Sequence, residues 1–182
     1  MSTTDFGWLL AGRGRARALS CAPVPDLRPT QIEVYLFRRR ARRVEFLCLR
    51  RARGLLPGVW QPVTGGLRRG EGALAGAARE VREETGLSPR RWWALEGVGI
   101  YFDARVGRAR VMAMFAAEVD PKDGVRLSRE HEAFAYLSAA AAGRRFLWAA
   151  QRRGLDTVRN EVLRGGLLAR ALEVTHLMKR TR

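Results

Sequence analysis

The segment 72–86 constrains the fold of this chain more than any other, because its apolar residues repeat with the period of a helix. Four of them fall at positions i, i+3, i+4 and i+7, namely Leu74, Ala77, Ala78 and Val81. Residues at these spacings lie on one side of a helix. Gly86 comes directly after the pattern and is typical of the residue that ends a helix. The pattern predicts an amphipathic helix with one buried stripe.

Three glutamates lie beside this stripe. Glu80, Glu83 and Glu84 are spaced i, i+3 and i+4, so their carboxylates project to one side of the helix. Like charges at these spacings destabilise a helix by about 0.2–0.5 kcal/mol per pair. Hard divalent cations favour such a cluster, because they bind carboxylate oxygens and keep coordination positions for the phosphates of a substrate. A solvated acidic face is the alternative, and the scarcity of acidic residues in the chain argues against it.

The composition describes a globular chain of one domain with a large excess of positive charge. Of its 182 residues 47% are hydrophobic. The chain has 34 basic and 18 acidic residues, which gives a net charge of +16. Lys122 and Lys179 are the only lysines, so arginine supplies almost all of the positive charge. This choice favours bidentate contacts with phosphate or carboxylate. GC-rich coding explains an excess of Arg, Ala and Gly equally well, and both interpretations stay open.

The sequence predicts a cytoplasmic protein with no membrane segment. No stretch of the chain reaches the roughly 18 consecutive apolar residues of a transmembrane helix. Cys21 and Cys48 show neither a CxxC motif nor the spacing of metal ligands, which fits a reducing compartment.

Proline content and periodicity divide the chain into three parts. Residues 1–29 lack periodicity and contain three prolines, which predicts a basic leader. The folded domain is expected over residues 30–175, and residues 176–182 are expected to form a basic tail. Alternation and β-branched or aromatic residues predict strands at 32–36, 44–49, 98–103, 111–119 and 134–137.

Helices are expected in the last third of the chain. Ser138 is predicted to begin a short alanine-rich helix, and the segment 146–172 is predicted to supply one or two more, broken at Gly154 and at 165–166. Trp92 and Trp93 follow the carboxylate helix and are predicted to cover a sheet edge or an interface.

The carboxylate helix is part of a longer pattern that runs from Gly65 to Leu87. The pattern reads Gly65, five residues, Glu71, seven residues, Arg79-Glu80-Val81, one residue, Glu83-Glu84, one residue, Gly86-Leu87. It matches the Nudix box at every defined position, so the chain resembles the Nudix hydrolases.

The resemblance implies an α+β fold in which a mixed β-sheet lies between helices, an α/β/α sandwich. Nudix hydrolases cleave a nucleoside diphosphate linked to another group with the help of divalent metal. On the matching positions, Glu80, Glu83 and Glu84 are implied to bind Mg²⁺ or Mn²⁺, with the Gly65 carbonyl as a further ligand. The general base is implied to be Glu80 or Glu83. Arg79 is placed to pair with these carboxylates and to hold them together.

A second resemblance, to the subgroup that hydrolyses dihydroneopterin triphosphate and dATP, extends beyond the box. It rests on the segment 59–65, which ends in Val63-Thr64-Gly65, and on Glu130-His131 ahead of a strand. In this subgroup the glutamate completes the metal site from outside the helix, and Glu130 matches it. Tyr136 stands where the pattern usually has Trp.

Four residues are expected to contact the substrate. Arg50 and Arg51 end a predicted strand that leads to the box, and we expect one of them to bind phosphate. Trp60 is predicted either to stack on a base or pterin ring or to fill the core beneath the box. Tyr136 is assigned to the substrate pocket through the resemblance.

The leading hypothesis is a metal-dependent pyrophosphohydrolase that cleaves a nucleoside or pterin triphosphate by attack of water at phosphorus and releases pyrophosphate. ADP-ribose, dinucleoside polyphosphates and capped RNA are alternative substrates, because the box sets the chemistry and not the second group. From another class, the net charge of +16 suggests a nucleic-acid-binding protein. That hypothesis is not favoured, because the basic residues are spread over the whole chain. The protein is expected to be a monomer or a homodimer.

Overall fold

The central strand of the sheet, β1 (Gln31–Arg40), begins where the sequence pattern predicts it. The computed structural model describes residues 27–54 and 56–178, so most of the predicted leader and residues 179–182 of the predicted tail lie outside the described residues. The other strands are β2 (Arg43–Arg51), β3 (Trp60–Gln61), β4 (Val63–Gly66), β5 (Arg91–Asp103), β6 (Arg108–Glu118) and β7 (His131–Leu137). The helices are α1 (Ala73–Thr85), α2 (Ala139–Arg145), α3 (Ala149–Thr157), a π-helical segment (Val158–Leu163), α4 (Gly166–Ala171) and α5 (Thr175–Met178).

β1 has partners along both edges. On one edge its second half pairs with β2 and its first half with β4, both antiparallel, and on the other edge it runs parallel to β6. β5 pairs antiparallel with β6, and both β3 and β7 pair with β2. The expected mixed sheet is therefore confirmed. None of the helices in the described part of the chain is long and apolar enough to cross a membrane.

Alternation along β1 divides the core into two halves. Ile32, Val34 and Leu36 are buried on the face that α1 covers, together with Val81 of that helix. Tyr35 and Phe37 are buried on the other face, against α2, α3 and the π-helical segment. Successive strand residues point to opposite faces, so a strand covered on both sides is apolar throughout. This is the α/β/α arrangement that the box implied.

Two expectations about the tryptophans and the β5 strand are wrong. β5 begins at Arg91, seven residues before the predicted start, and has an irregularity between Ala94 and Val98. Trp92 and Trp93 are each 2% exposed and pack into the two opposite halves of the core. They belong to an edge strand but do not cover the edge. Adjacent tryptophans gave no alternation signal, because both faces of this strand are covered.

The helix break predicted at Gly154 is also wrong, whereas the one at Gly165 is confirmed. α3 continues through Gly154, and a Cβ built there would overlap the Tyr35 hydroxyl. Tyr35 is 1% exposed and its hydroxyl donates hydrogen bonds to Glu33 and to the Gln151 carbonyl (3.0 Å), which fix its position. Gly154 therefore serves close packing of α3 on β1. Gly165, with φ of 72°, separates the π-helical segment from α4.

We expect Gly154→Ala to lower the free energy of unfolding by about 1–3 kcal/mol, the usual cost of overpacking a core. Gly143→Ala in α2 is the matched control, because its Cβ would lie 3.7 Å from Leu155, an ordinary contact. Alanine in a helix is otherwise favoured over glycine by about 1 kcal/mol. Urea denaturation of both variants measures the difference. Equal stability of Gly154→Ala and the wild type would contradict the packing argument.

Candidate active site

The Glu71 carboxylate, at the end of the loop between β4 and α1, binds the backbone of the same loop. α1 begins after Gly72 without a side-chain cap, and Glu71 just before it accepts the backbone N–H of Arg68 at 2.9 Å. The apolar stripe then fixes α1 on the sheet, since Ala77 and Val81 are fully buried. Gly86 ends the helix in the left-handed region, with φ of 70°. The box sequence therefore folds as a loop, a helix and a turn, with the acidic side next to β4.

Arg79 binds four groups of the box at once. Its guanidinium donates to both Glu71 oxygens at 2.8 and 2.9 Å and to the Gly66 carbonyl at 3.0 Å. It also donates to Glu80 at 2.7 Å and to Glu83 at 3.0 Å. These bonds, with a further contribution from the Arg68 backbone, lower the pKa of Glu71 to about 2. Arg79 therefore joins the loop to the helix and neutralises part of the acidic cluster.

Glu80 lies against the backbone of Gly65. A Cβ built on Gly65 would overlap the carboxyl group of Glu80, so only glycine permits this approach. Gly65 pairs with Ile32 of β1, which fixes the strand backbone at this point. The structure thus brings together the Glu80 carboxylate and the backbone of the residue whose carbonyl the box implies as a ligand. Burial is the first cause of a raised pKa for Glu80, and the Arg79 hydrogen bond opposes it.

Glu84 is the buried member of the cluster. It is 4% exposed, and its Oε2 atom has no hydrogen-bond partner among the described residues. Burial, and then the charges of Glu80 and Glu130, raise its pKa to about 9. The positive charge of Arg51 acts in the opposite direction and lowers this pKa. An unpaired carboxylate in this position is costly without a proton or a cation.

The loop before β7 brings two more residues to Glu84. The Ser128 N–H donates to the Glu84 carbonyl at 3.1 Å, and the Ser128 hydroxyl accepts the N–H of Glu130 at 3.2 Å. His131 follows, with Nε2 at 3.9 Å from Glu84 Oε2, and neither ring nitrogen has a hydrogen-bond partner in the part of the chain that the structure describes. Burial, and then the Arg51 charge, lower the pKa of His131 to about 4. His131 is therefore neutral at pH 7 and supplies no positive charge that would stabilise the ionised form of Glu84.

Arg51 reaches the site through a chain of polar contacts that the sequence did not predict. Its Nη1 donates to the Gln61 side-chain oxygen at 3.2 Å, and the Gln61 amide donates to the Thr64 hydroxyl at 3.3 Å. Gln61 is 6% exposed. The signal in the sequence was weak, a single glutamine beside Trp60 in a segment too short to show alternation.

The remaining expected substrate residues have contacts with residues outside the acidic cluster. Arg50 is bound to the Gly58 carbonyl at 3.3 Å and to Glu132 at 3.1 Å. Trp60 packs with the core half on the α3 face, under the guanidinium of Arg145 at 4.7 Å.

Tyr136 is separated from the start of β7 by most of that strand. It lies five residues after His131, which is about 17 Å at about 3.4 Å per residue. The Arg38 guanidinium stands 3.5 Å above its ring.

The acidic cluster fits a divalent cation in its chemistry, although it is not arranged around one. No three Asp, Glu, His or Cys side chains within 27–54 and 56–178 stand close enough together to hold a metal ion as they are. Arg79 accounts for this, because it binds oxygens of Glu80 and Glu83. The unpartnered Glu84 oxygen and the approach of Glu80 to Gly65 supply the hard oxygen donors that Mg²⁺ and Mn²⁺ prefer.

Comparison with known proteins agrees with the fold. The chain matches the NUDIX domain over residues 28–158 and therefore belongs to the Nudix hydrolase family. It is 34% identical over 101 residues to the asymmetrical bis(5'-nucleosyl)-tetraphosphatase of Mus musculus. This alignment covers 54% of this chain and 67% of the mouse protein. It is also 34% identical over 123 residues to an octanoyltransferase of Myxococcus xanthus. That match covers 65% of this chain but spans only 32% of the Myxococcus protein.

Solved structures show the same fold. A C. elegans Ap4A hydrolase aligns with a TM-score of 0.62 and 23% identity, over 71% of this chain and 93% of that one. The E. coli dihydroneopterin triphosphate pyrophosphohydrolase aligns with a TM-score of 0.59 and 23% identity, over the same shares of the two chains. At these identities the likeness concerns the fold alone.

In metal-free buffer we expect the stability to fall as the pH rises from 7 to 9. The folded chain retains a proton on Glu84 up to a pKa of about 9, whereas the unfolded chain loses it near 4.5, so the folded state binds more protons between these values. One such proton gives a slope of up to about 1.4 kcal/mol per pH unit. His131 makes the stability rise with pH, because its pKa is lowered in the folded chain, but this effect is confined to pH values below its ordinary pKa of 6.5.

Urea denaturation in EDTA at several pH values measures this slope. Glu84→Gln is expected to flatten it, because the amide has no proton to lose. Glu96→Gln, which changes an exposed carboxylate on β5 outside the acidic cluster, is the control and is expected to keep the wild-type slope. A wild-type slope in Glu84→Gln would show that another group is responsible.

Proposed function

We propose that this chain is a Mg²⁺-dependent pyrophosphohydrolase that cleaves a nucleoside or pterin triphosphate, dATP-like or dihydroneopterin triphosphate, to the monophosphate and pyrophosphate. The observation that carries the proposal is the buried Glu84 carboxyl group, whose Oε2 atom has no hydrogen-bond partner among the described residues and whose pKa is raised by burial and by the charges of Glu80 and Glu130. Folding alone does not favour this arrangement, and a bound cation balances it. Manganese has the same preference for oxygen ligands and is the alternative metal.

The proposed ligands are Glu80, Glu83, Glu84 and Glu130, with the Gly65 carbonyl. Bound divalent cations would neutralise charge on the substrate phosphates and acidify a water molecule for attack at phosphorus. Arg79 would release carboxylate oxygens to the cations while its bonds to Glu71 and Gly66 keep the loop in place. Arg79 thus acts as an organising residue of the catalytic set.

Glu83 is the general base in this proposal. A base must reach the water whose proton it takes. Glu83 is 49% exposed, and the side chains that bind it belong to Arg68 and Arg79. Glu80, the other candidate, has 14% of its side chain exposed and lies against Gly65, a position that suits a metal ligand better.

Arg51 is the proposed phosphate-binding residue among the four substrate candidates. Its charge acts on Glu84 and His131, and Gln61 fixes its guanidinium. Arg50 is held by Glu132 instead, and Arg145 covers Trp60. We therefore assign Arg50, Trp60 and Tyr136 no contact with the reacting phosphates.

We expect Glu83→Gln and Glu84→Gln each to lower kcat by at least about 100-fold, because general-base and charge contributions of one group are of this size. Glu96→Gln, an exposed carboxylate on β5, is the control and should keep full activity. Pyrophosphate release from dATP in Mg²⁺, together with the melting temperature of each variant, measures the effect. Full activity in both box variants would overturn the proposal.

A dinucleoside tetraphosphate is a second candidate substrate. The relatives matched at 34% and 33% identity in three mammals are named as asymmetrical bis(5'-nucleosyl)-tetraphosphatases. The same set of carboxylates serves this reaction, because it also breaks a phosphoanhydride bond with water. The products differ, since asymmetrical cleavage of diadenosine tetraphosphate gives a triphosphate and a monophosphate.

A panel of dATP, dihydroneopterin triphosphate and diadenosine tetraphosphate, with Mg²⁺, Mn²⁺ or EDTA, separates the candidates by product and by kcat/KM. We expect metal-dependent release of pyrophosphate from a triphosphate. Higher kcat/KM for the dinucleotide would favour the second candidate. Absence of turnover with either metal, combined with nucleic-acid binding that weakens steeply with salt, would favour a binding protein instead.

A further inference from the structure

A cavity of about 190 Å³ lies at the end of the sheet where β1 ends and β5 begins. Three arginines are among the residues that line it, Arg39, Arg91 and Arg170, and Trp93 and the Gly165–Gly166 turn line it as well. We call it the arginine cavity. No Asp or Glu is among the described residues that line it, so all its charged groups are cations.

The arginine cavity is far from the candidate active site. Arg39 lies seven residues along β1 from Ile32, which pairs with Gly65 of the box. At about 3.3 Å per residue this is a separation of about 23 Å. A ligand in the cavity therefore cannot also contact the acidic cluster unless it is itself of that length.

Two of the three arginines are held at the cavity by acidic residues outside it. Arg39 pairs with Glu118 at 3.2 Å, and Arg91 pairs with Glu173 at 2.6 Å while its guanidinium stacks on Trp93 at 4.7 Å. Arg170 has no such partner among the described residues. Its guanidinium group is therefore not engaged in an ion pair there and is available to an anion.

Trp93 provides an independent observation. It is 2% exposed, and its indole N–H, which is buried, has no hydrogen-bond partner in the described part of the chain. A buried donor without an acceptor costs about 1–3 kcal/mol. Trp93 also lines the cavity, so an oxyanion bound there that reaches the indole N–H would supply the missing acceptor.

The size of the cavity limits what it can hold. Typical pockets for small organic ligands occupy about 300–1,000 Å³. A volume of about 190 Å³ corresponds to about six water molecules at about 30 Å³ each, which suits a phosphate or a diphosphate. A wider groove of about 570 Å³ shares Arg170 with the cavity and leaves space for an organic group attached to that phosphate.

We propose that the arginine cavity, formed by Arg39, Arg91, Arg170 and the indole N–H of Trp93, is a second phosphate-binding site, separate from the candidate active site. Its ligand is a phosphate or diphosphate group, held by the guanidinium groups and by the indole. Planar guanidinium groups suit this ligand because they donate two parallel hydrogen bonds to phosphate oxygens.

The test is a titration of the full chain with inorganic pyrophosphate in EDTA at constant ionic strength, followed by the indole N–H signals in ¹H–¹⁵N NMR spectra. Trp93→Phe identifies the Trp93 signal. We expect this signal to shift and to saturate, and Arg170→Gln to raise Kd about tenfold or more, the effect of losing a charge-assisted hydrogen bond. Since Arg170 is exposed and unpaired, the variant is expected to fold, and its melting temperature checks this.

Arg153→Gln is the matched control, because it removes an equal charge from an exposed position on α3 outside the cavity. We expect its Kd to stay within twofold of the wild type. An unmoved Trp93 signal, or equal weakening in both variants, would overturn the proposal. Because no turnover is measured, this result does not depend on the proposed activity.

Two oligoribonucleotides distinguish the sources of the phosphate. Displacement of pyrophosphate by a strand with a 5'-phosphate, but not by the same strand without one, assigns the site to phosphorylated RNA ends. No displacement by either strand assigns it to free small phosphates. Equal displacement by both would show that net charge alone attracts anions, and would overturn the proposal.

Discussion

The five hydrogen bonds of the Arg79 guanidinium are the interaction on which the candidate site depends. They join both ends of the box loop to α1, through the Gly66 carbonyl and Glu71, and they separate the charges of Glu80 and Glu83. Without this cation, three carboxylates would repel one another beside a backbone turn that has no side-chain cap. Arg79 thus holds Glu80 and Glu83 close to the box loop. In the proposed function, a metal ion would compete with Arg79 for oxygens of these two carboxylates.

Glu84 is the part of the site that Arg79 does not stabilise. Because Glu84 is a buried residue of α1, its ionised form is unfavourable, as the raised pKa of about 9 indicates. Natural sites often contain groups that lower stability in the absence of their ligand, because the same groups provide the binding energy. With Glu84 as a ligand, as proposed, cation binding would be coupled to deprotonation, and affinity for the cation would rise with pH until Glu84 is ionised.

The sequence alone predicts the part of the site that lies on one helix. It does not predict the part to which several strands contribute. The 3.6-residue period places Glu80, Glu83 and Glu84 on one side of α1 without further information. No period exists in the two-residue strand that carries Trp60 and Gln61, so the face of each residue is set by pairing with β2. That pairing turns Gln61 toward Arg51 and Trp60 toward the other half of the core. Gly154 was misjudged for a similar reason, because Tyr35, its partner, is more than a hundred residues away in sequence.

The role of each arginine depends on its position in the fold. Many arginines are bound to acidic residues, as Arg38 is to Glu45, and contribute little beyond a local ion pair. Around the acidic cluster, arginine compensates carboxylates. At the opposite end of the sheet, cations converge on a cavity without acids, and the exposed tip of the β1–β2 hairpin adds Arg40, Arg42 and Arg43 nearby. The central sheet keeps these two regions apart. An anion attracted by the net charge of +16 therefore meets two different environments, one that needs a cation before it can bind phosphate and one that does not.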